Sequence, residues 1–161
     1  MRIKTSAAIE IARPREAVFD FACACETYVE LFRSCGPIAG ITMAEMIDGA
    51  TLGAGARRRI EMSDGAVLEE HVVVFDRPTR HVYRWDGGLC APGKFVARAG
   101  EADWTFSDQR GGTRIDWTYT FDLTTPLVYP AALIMRSQFG RWMEQQLHAI
   151  SASMRLQLAV V

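Results

Sequence analysis

The sequence predicts an α+β fold: a curved seven-stranded antiparallel sheet wrapped around a long C-terminal helix, with two short helices after the first strand. Three observations predict it. Between Ile38 and Leu123, β-type residues fall into six segments separated by turn signals. After Thr125-Pro126, apolar residues recur at spacings of three and four. Ahead of both, an alternating segment is followed by a proline that suits a helix start. The 161 residues are expected to form one domain, 1–161.

Ile3 to Ala12 alternates and reads as the first strand. Pro14 fits the first position of a helix that Arg15 to Ala22 continues. A second short helix covers Glu26 to Arg33 and ends at Cys35-Gly36-Pro37. The next strands are Ile38–Ile47, Ala54–Met62, Ala66–Phe75, Arg80–Asp86, Phe95–Ser107 and Thr113–Leu123. Asp48-Gly49, Asp64-Gly65, Asp76-Arg77-Pro78, Gly87-Gly88, Pro92-Gly93 and Gly111-Gly112 punctuate them. The last helix runs to about Leu158, with Pro130 either kinking it or marking its true start. Phe139, Met143, Leu147, Ile150, Met154 and Leu158 make one apolar face. At roughly 1.5 Å per residue such a helix spans about 40 Å, enough to cross a sheet. The apolar face of the sheet needs a cover, and no other segment is long enough to supply one.

Turn length predicts which side chains share the inner face, because a one-residue slip moves every side chain of a strand to the other side. Taking Asp64-Gly65 as a two-residue turn sets Met62 opposite Val67, Ile60 opposite Glu69, and Arg58 opposite His71. The outer face then pairs Arg59 with Glu70. Ile60, Met62, Val67, Val73 and Phe75 mark the inner face, and Arg58, Glu69 and His71 are carried in with them. The loop from Asp76 to Arg80 continues this by pairing Phe75 with His81, Val73 with Tyr83 and His71 with Trp85. Phe106 opposite Ile115 and Trp104 opposite Trp117 bring Tyr119 and Phe121 inside, with Asp116, Thr118, Thr120 and Asp122 outside. Without a bulge, Val96, Arg98 and Ala102 also face inward. Charges on such a face are costly unless paired or hydrated. They either neutralise locally and snorkel to the rim, or line a ligand cavity.

Composition excludes several classes. Hydrophobic residues make up 49% and charged residues 23%, which is a globular mix. The net charge is -1, and Arg57-Arg58-Arg59 is split between two faces, so no nucleic-acid partner is expected. The longest apolar run, Leu127 to Met135, is far short of the about 20 residues a membrane span needs. The N-terminus lacks the apolar stretch of a signal peptide, so a cytoplasmic location is expected. Cys23, Cys25, Cys35 and Cys90 match no zinc knuckle and read as reduced, mostly buried thiols. Gly53-Ala-Gly55-Ala-Arg-Arg58 is no dinucleotide fingerprint, since a third glycine is missing and a strand follows. A homodimer stays open, because the outer sheet face and the tail Leu156–Val161 carry no clear signal.

Three segments carry a resemblance. They are Ile9-Glu-Ile-Ala-Arg-Pro-Arg-Glu-Ala-Val-Phe-Asp-Phe21, Phe75-Asp-Arg-Pro-Thr-Arg-His-Val-Tyr83 and Gly111-Gly-Thr-Arg-Ile-Asp-Trp-Thr-Tyr119. With the element order, they make the chain similar to bacterial members of the START-like, Bet v 1-like (SRPBCC) superfamily, in its polyketide cyclase/dehydrase branch. The resemblance covers nearly the whole chain and implies the helix-grip fold, with a hydrophobic cavity between sheet and long helix. It implies a small hydrophobic partner such as a lipid, sterol, polyketide or other flat apolar molecule. It marks turns and packing, and it transfers no catalytic residue. Iron-binding oxygenase relatives use two histidines and a carboxylate. The three histidines here, His71, His81 and His148, lack that spacing, so neither a metal nor another cofactor is expected.

A cyclase must hold a poly-β-ketone, remove an α-proton and stabilise the enolate. His71 is the candidate base, or else a structural histidine. Arg58 is the candidate enolate or carboxylate partner, and Glu69 would orient His71 or act as an acid. Arg98 shares the anion-binding role, and Tyr83 and Tyr119 are hydrogen-bond donors to a carbonyl. Trp85, Trp104, Trp117 and Phe139 are stacking walls or plain core, and Met135 and Met143 on the long helix likewise. Three function classes remain open at this point: a cofactor-free cyclase/dehydratase, a non-enzymatic carrier of lipid or another hydrophobic ligand, and a protein-partner module without a ligand.

Overall fold

A computed structural model describes residues 1–156 of the chain. The order is β1 (Arg2–Ile11), α1 (Arg15–Cys23), α2 (Cys25–Leu31), β2 (Ile41–Met46), β3 (Arg57–Met62), β4 (Val67–Asp76), β5 (Arg80–Asp86), α3 (Gly93–Val96), β6 (Ala97–Gln109), β7 (Gly112–Leu123) and α4 (Tyr129–Leu156). The seven strands form one antiparallel sheet in the order β1-β7-β6-β5-β4-β3-β2. The first strand closes onto the last because Ile3 pairs with Phe121 and Ile9 with Ile115. The architecture is the expected one: a curved open sheet gripping a long helix.

Pro130 stands in the first turn of α4, where the missing N–H costs no intrahelical bond, so it marks the start of the helix. A short 3-10 turn, Pro126–Val128, precedes it, capped by the Thr125 side chain accepting from the Leu127 N–H. Met143, Leu147, Ile150 and Met154 are buried along one face of α4, and Phe139 packs beside them. The expected end of that face at Leu158 lies outside the described residues.

Two expectations about the inner face fail, each through one extra residue. The β3–β4 turn holds Ser63, Asp64 and Gly65, since the Met62 N–H donates to the Ala66 carbonyl. Arg58 therefore faces Glu70, and Ile60 faces Leu68. From Val67 to Val73, β4 is inverted relative to the two-residue turn. Leu68, Glu70 and Val72 point inward, while Val67, Glu69, His71 and Val73 are exposed on the outer face. The outer ion pairs are then Arg57–Glu69 and Arg59–Glu61, not Arg59–Glu70. A bulge between Val72 and Val74 absorbs the slip, so Phe75 still pairs with His81, as expected. Tyr83 and Trp85 remain inside, opposite Val72 and Glu70.

The second failure is in β6. Residues 93–96 form the short helix α3, and a bulge follows between Ala97 and Ala99. Arg98 is thereby turned out to solvent. The last hairpin needs no correction, for Phe106 pairs with Ile115 and Trp104 with Trp117. Asp122 points outward as expected, but Arg2 and Arg84 cover it at 2.7 and 2.8 Å. Of the four free thiols Cys23 is buried, whereas Cys25, Cys35 and Cys90 are half-buried and so depart from the expectation.

Candidate functional site

The placement of α4 leaves a space under it. The helix lies mainly on β1, at one edge of the sheet. A Cβ at Gly140 would come within 2.9 Å of Thr5 Oγ1, so the absence of a side chain lets the two backbones approach. The inner face toward β4 and β5 is consequently roofed at a distance. A cavity of about 360 Å³ opens there, within the lower range of small-molecule sites.

Its walls are aromatic and aliphatic. Trp85, Tyr119 and Phe121 line it from the sheet, and Met135, Phe139 and Trp142 from α4. Phe139 ties the two layers, with its ring centroid 4.7 Å from Tyr119, 4.9 Å from Phe121 and 5.0 Å from Trp142. Leu89, Val96 and the exposed Ile134 also line it. Trp85 lies flat across Gly100, its partner on β6, where any Cβ would fall 2.5 Å from the indole ring. That glycine is what lets a tryptophan form part of the cavity floor.

Besides Asp64, Gln138 and the Cys90 thiol, three polar side chains enter this apolar setting. Tyr119 accepts a short hydrogen bond from the Trp85 indole N–H. An indole nitrogen only donates, so the Tyr119 hydroxyl hydrogen is left to point elsewhere. Tyr83 also lines the cavity. Glu70, also in the cavity wall, is held by Arg58 of β3. Arg58 Nε and Nη2 donate to the same carboxylate oxygen, Oε2, at 2.9 and 2.6 Å. Oε1 is left without a protein partner among the described residues.

Arg58 itself does not reach the cavity. It is fully buried, with its guanidinium 4.1 Å from the Tyr28 ring centroid and 5.2 Å from that of Tyr83. Its remaining arm, Nη1, donates to the Cys23 carbonyl. Burial is the largest influence and works against the Arg58 charge, but Glu70, Tyr28, Tyr83 and Cys25 together outweigh it, and the guanidinium holds its proton more firmly than usual. Burial also pushes the Glu70 carboxyl up, and Arg58 pulls it back only in part. Both Tyr83 and Tyr119 are pushed up by burial, so they stay neutral donors. Behind this group His81 is fully buried, with Nδ1 3.4 Å from the Val74 carbonyl and Nε2 unpartnered. Burial first, and the Arg58 charge second, push its pKa down to about 3.

The structure thus divides the residues expected at the site. Tyr83, Trp85, Tyr119, Met135 and Phe139 come together around the cavity. Trp104 and Trp117 stack on each other at 4.1 Å in the closed core, and Met143 is buried there too. Arg98 is on the surface. His71 and Glu69 sit together on the outer face, 3.4 Å apart, and do not meet Arg58. The one-residue difference in the β3–β4 turn separates them. Glu70, Phe121 and Trp142 take places that sequence reasoning did not assign. Strand parity had already set Phe121 inside, but Glu70 was legible only to a reading that chose the longer turn.

A curved sheet closed over a long helix, with an apolar cavity between them, defines the helix-grip fold, an architecture of the ligand-binding type. The chain belongs to the family described as polyketide cyclase / dehydrase and lipid transport, whose model matches residues 2–155. Comparison with curated proteins gave no match. Among solved structures, the chain is similar to the di-domain ARO/CYC BexL from the BE-7585A biosynthetic pathway, at 18% identity and TM-score 0.69. That match covers 94% of this chain and 49% of BexL, so this chain spans about half the length of that protein. It is also similar to Ara h 8.0201, at 14% identity and TM-score 0.63, covering 94% of this chain and 99% of that one. TTHA0849 from Thermus thermophilus matches at 20% identity and TM-score 0.65, over 93% and 95% of the two chains. These identities establish a common fold. Among the described residues, no helix is long and apolar enough to cross a membrane.

Proposed function

We propose that this protein binds a small, flat, largely apolar molecule bearing one polar edge. The observation that carries the reading is that the polar side chains Glu70, Tyr83 and Tyr119 line the cavity among walls of Trp, Phe and Met. Aromatic walls supply affinity through area and stacking, and a few convergent polar atoms set orientation. A partner module without a ligand has no use for such a cavity.

Native mass spectrometry of freshly purified protein, repeated after denaturation, tests the reading. A bound mass that leaves on denaturation supports it and identifies the ligand class. If only bare protein is seen, a titration of the intrinsic tryptophan fluorescence with flat aromatic compounds follows. Absence of any saturable change there removes the reading.

One observation favours turnover over carriage. Glu70 is a buried carboxylate with an open oxygen, beside two neutral tyrosine hydroxyls. In a cyclase it would take the proton from a carbon flanked by carbonyls, with a tyrosine hydroxyl stabilising the enolate oxygen. The enolate carbon then bonds to a second carbonyl carbon of the same chain. That carbonyl's oxygen takes the proton back from Glu70 and becomes a hydroxyl. In a dehydration Glu70 then removes the remaining hydrogen of the newly bonded carbon, the hydroxyl takes up that proton and leaves as water, and a carbon–carbon double bond forms. This gives Glu70 the role expected of His71, which the β4 register holds on the other face. Conversion of a short poly-β-ketone by the wild type, lost in Tyr119→Phe together with Tyr83→Phe, supports the enzyme. Binding without conversion supports the carrier.

A further inference from the structure

The cavity lining combines two carboxylates, Glu70 and Asp64, with no lysine, arginine or histidine. Asp64 is exposed at the β3–β4 turn, where its carboxylate accepts from the Ala66 N–H. Glu70 lies inside. The cation that balances it, Arg58, is spent within the protein. Its Nε and Nη2 donate to Oε2, its Nη1 donates to the Cys23 carbonyl, and Tyr28 and Tyr83 stand against its plane. Among the described lining residues none carries a positive charge, and the unpaired oxygen of Glu70 is an acceptor.

We infer that the Arg58–Glu70 pair selects ligands by the polar group they carry, taking a neutral hydroxyl of phenolic or enolic type and rejecting carboxylates. The inference rests on the proposed binding function and names its ligand class. A hydroxyl can donate to Oε1 and accept from the Tyr83 or Tyr119 hydroxyl, satisfying both sides without moving charge. A carboxylate brings an unpaired charge into a medium of low dielectric, next to the acceptor Oε1 and with no free cation among the described lining residues to meet it. A protonated amine finds a carboxylate already balanced by Arg58, and loses its own hydration on entering. An unsubstituted hydrocarbon leaves Oε1 with no partner at all.

The test is calorimetric titration, at neutral pH, with four ligands sharing one skeleton: 2-naphthol, naphthalene, 2-naphthoate and 2-naphthylmethylammonium. The expected result is 2-naphthol binding at least about ten-fold more tightly than each of the others. In the paired replacement Arg58→Met with Glu70→Leu, the ten-fold preference over naphthalene should shrink to about two-fold. That variant leaves no lone buried charge, and circular dichroism checks its fold; if it does not fold, the wild-type series decides alone. Naphthoate or the ammonium binding as tightly as naphthol overturns the inference while leaving the binding function intact. Failure of all four, with no bound mass in native mass spectrometry, overturns the binding function and the inference together.

Discussion

Arg58 and Glu70 face each other across β3 and β4, and both shorter guanidinium hydrogen bonds converge on a single carboxylate oxygen. The pair is a structural element of the inner face, and its Glu70 member lines the cavity. Its energetics follow from its burial. Removing one partner leaves the other charged and unmatched, whereas replacing both with apolar groups does not.

The first prediction concerns that asymmetry. Arg58→Met alone should lower unfolding stability in urea by about 3–5 kcal/mol. The double change Arg58→Met with Glu70→Leu should recover most of that loss. If the double variant were no more stable than the single one, the pair would not be acting as a buried ion pair.

The second concerns acid. His81 is held neutral by burial, with its pKa down at about 3, below its ordinary value of 6.5. The unfolded chain takes up a proton there first. Stability from this group is therefore full above pH 6.5 and declines as pH falls toward 3. By linkage the loss between pH 7 and pH 4 is about 3 kcal/mol. Glu70, pushed up by burial, works in the opposite direction, losing its contribution as pH rises through its folded value. His81→Leu isolates the histidine, and the urea midpoint of that variant should fall less steeply from pH 7 to pH 4 than the wild type's.

The third concerns the cavity floor. Gly100→Ala places a methyl group inside the Trp85 ring and must displace it. A loss of about 1–3 kcal/mol is expected, as for other overpacked cores. The Trp85–Tyr119 hydrogen bond should break with it. A shifted tryptophan emission spectrum alongside a lower Tm is the expected signature, and an unchanged spectrum would argue against it.

The fourth concerns size. Phe139→Ala removes the ring that joins Tyr119, Phe121 and Trp142. Because Phe139 is only half-buried, the stability cost should be about 2 kcal/mol, below that of a fully enclosed ring. Titration with two-ring and three-ring ligands should show preference moving toward the larger. His71→Ala is the control. Exposed on the outer face, it should change neither binding nor stability by more than about 0.5 kcal/mol.

The fold was legible because its signals are local and redundant. Pro14, Gly111-Gly112 and the spacing from Phe139 to Met154 each point to one element, and the elements agree on one architecture. The aromatic half of the cavity was legible for a related reason. Tyr83, Trp85 and Tyr119 are too large and apolar for the outer face, so the pleat places them. The polar half was not. Glu69 and Glu70 are chemically alike, His71 is as acceptable outside as in, and Arg58 was set inside by either turn. Only the length of the turn at Asp64 distinguishes the two faces of β4, and a bulge after Val72 hides the choice from every strand that follows. Arg98 was lost in the same way, to the bulge at the start of β6.

The turn of Ser63, Asp64 and Gly65 has a consequence for how such a protein changes over evolutionary time. Point mutation alters a binding chamber one side chain at a time. Loss of a single codon here would rotate one entire wall, withdrawing Leu68, Glu70 and Val72 and presenting Val67, Glu69, His71 and Val73 in one event. The bulge between Val72 and Val74 is where such a change could be absorbed without disturbing β5. Insertion and deletion in this hairpin are therefore a route by which one scaffold could exchange its chemistry wholesale, with the rest of the fold held constant.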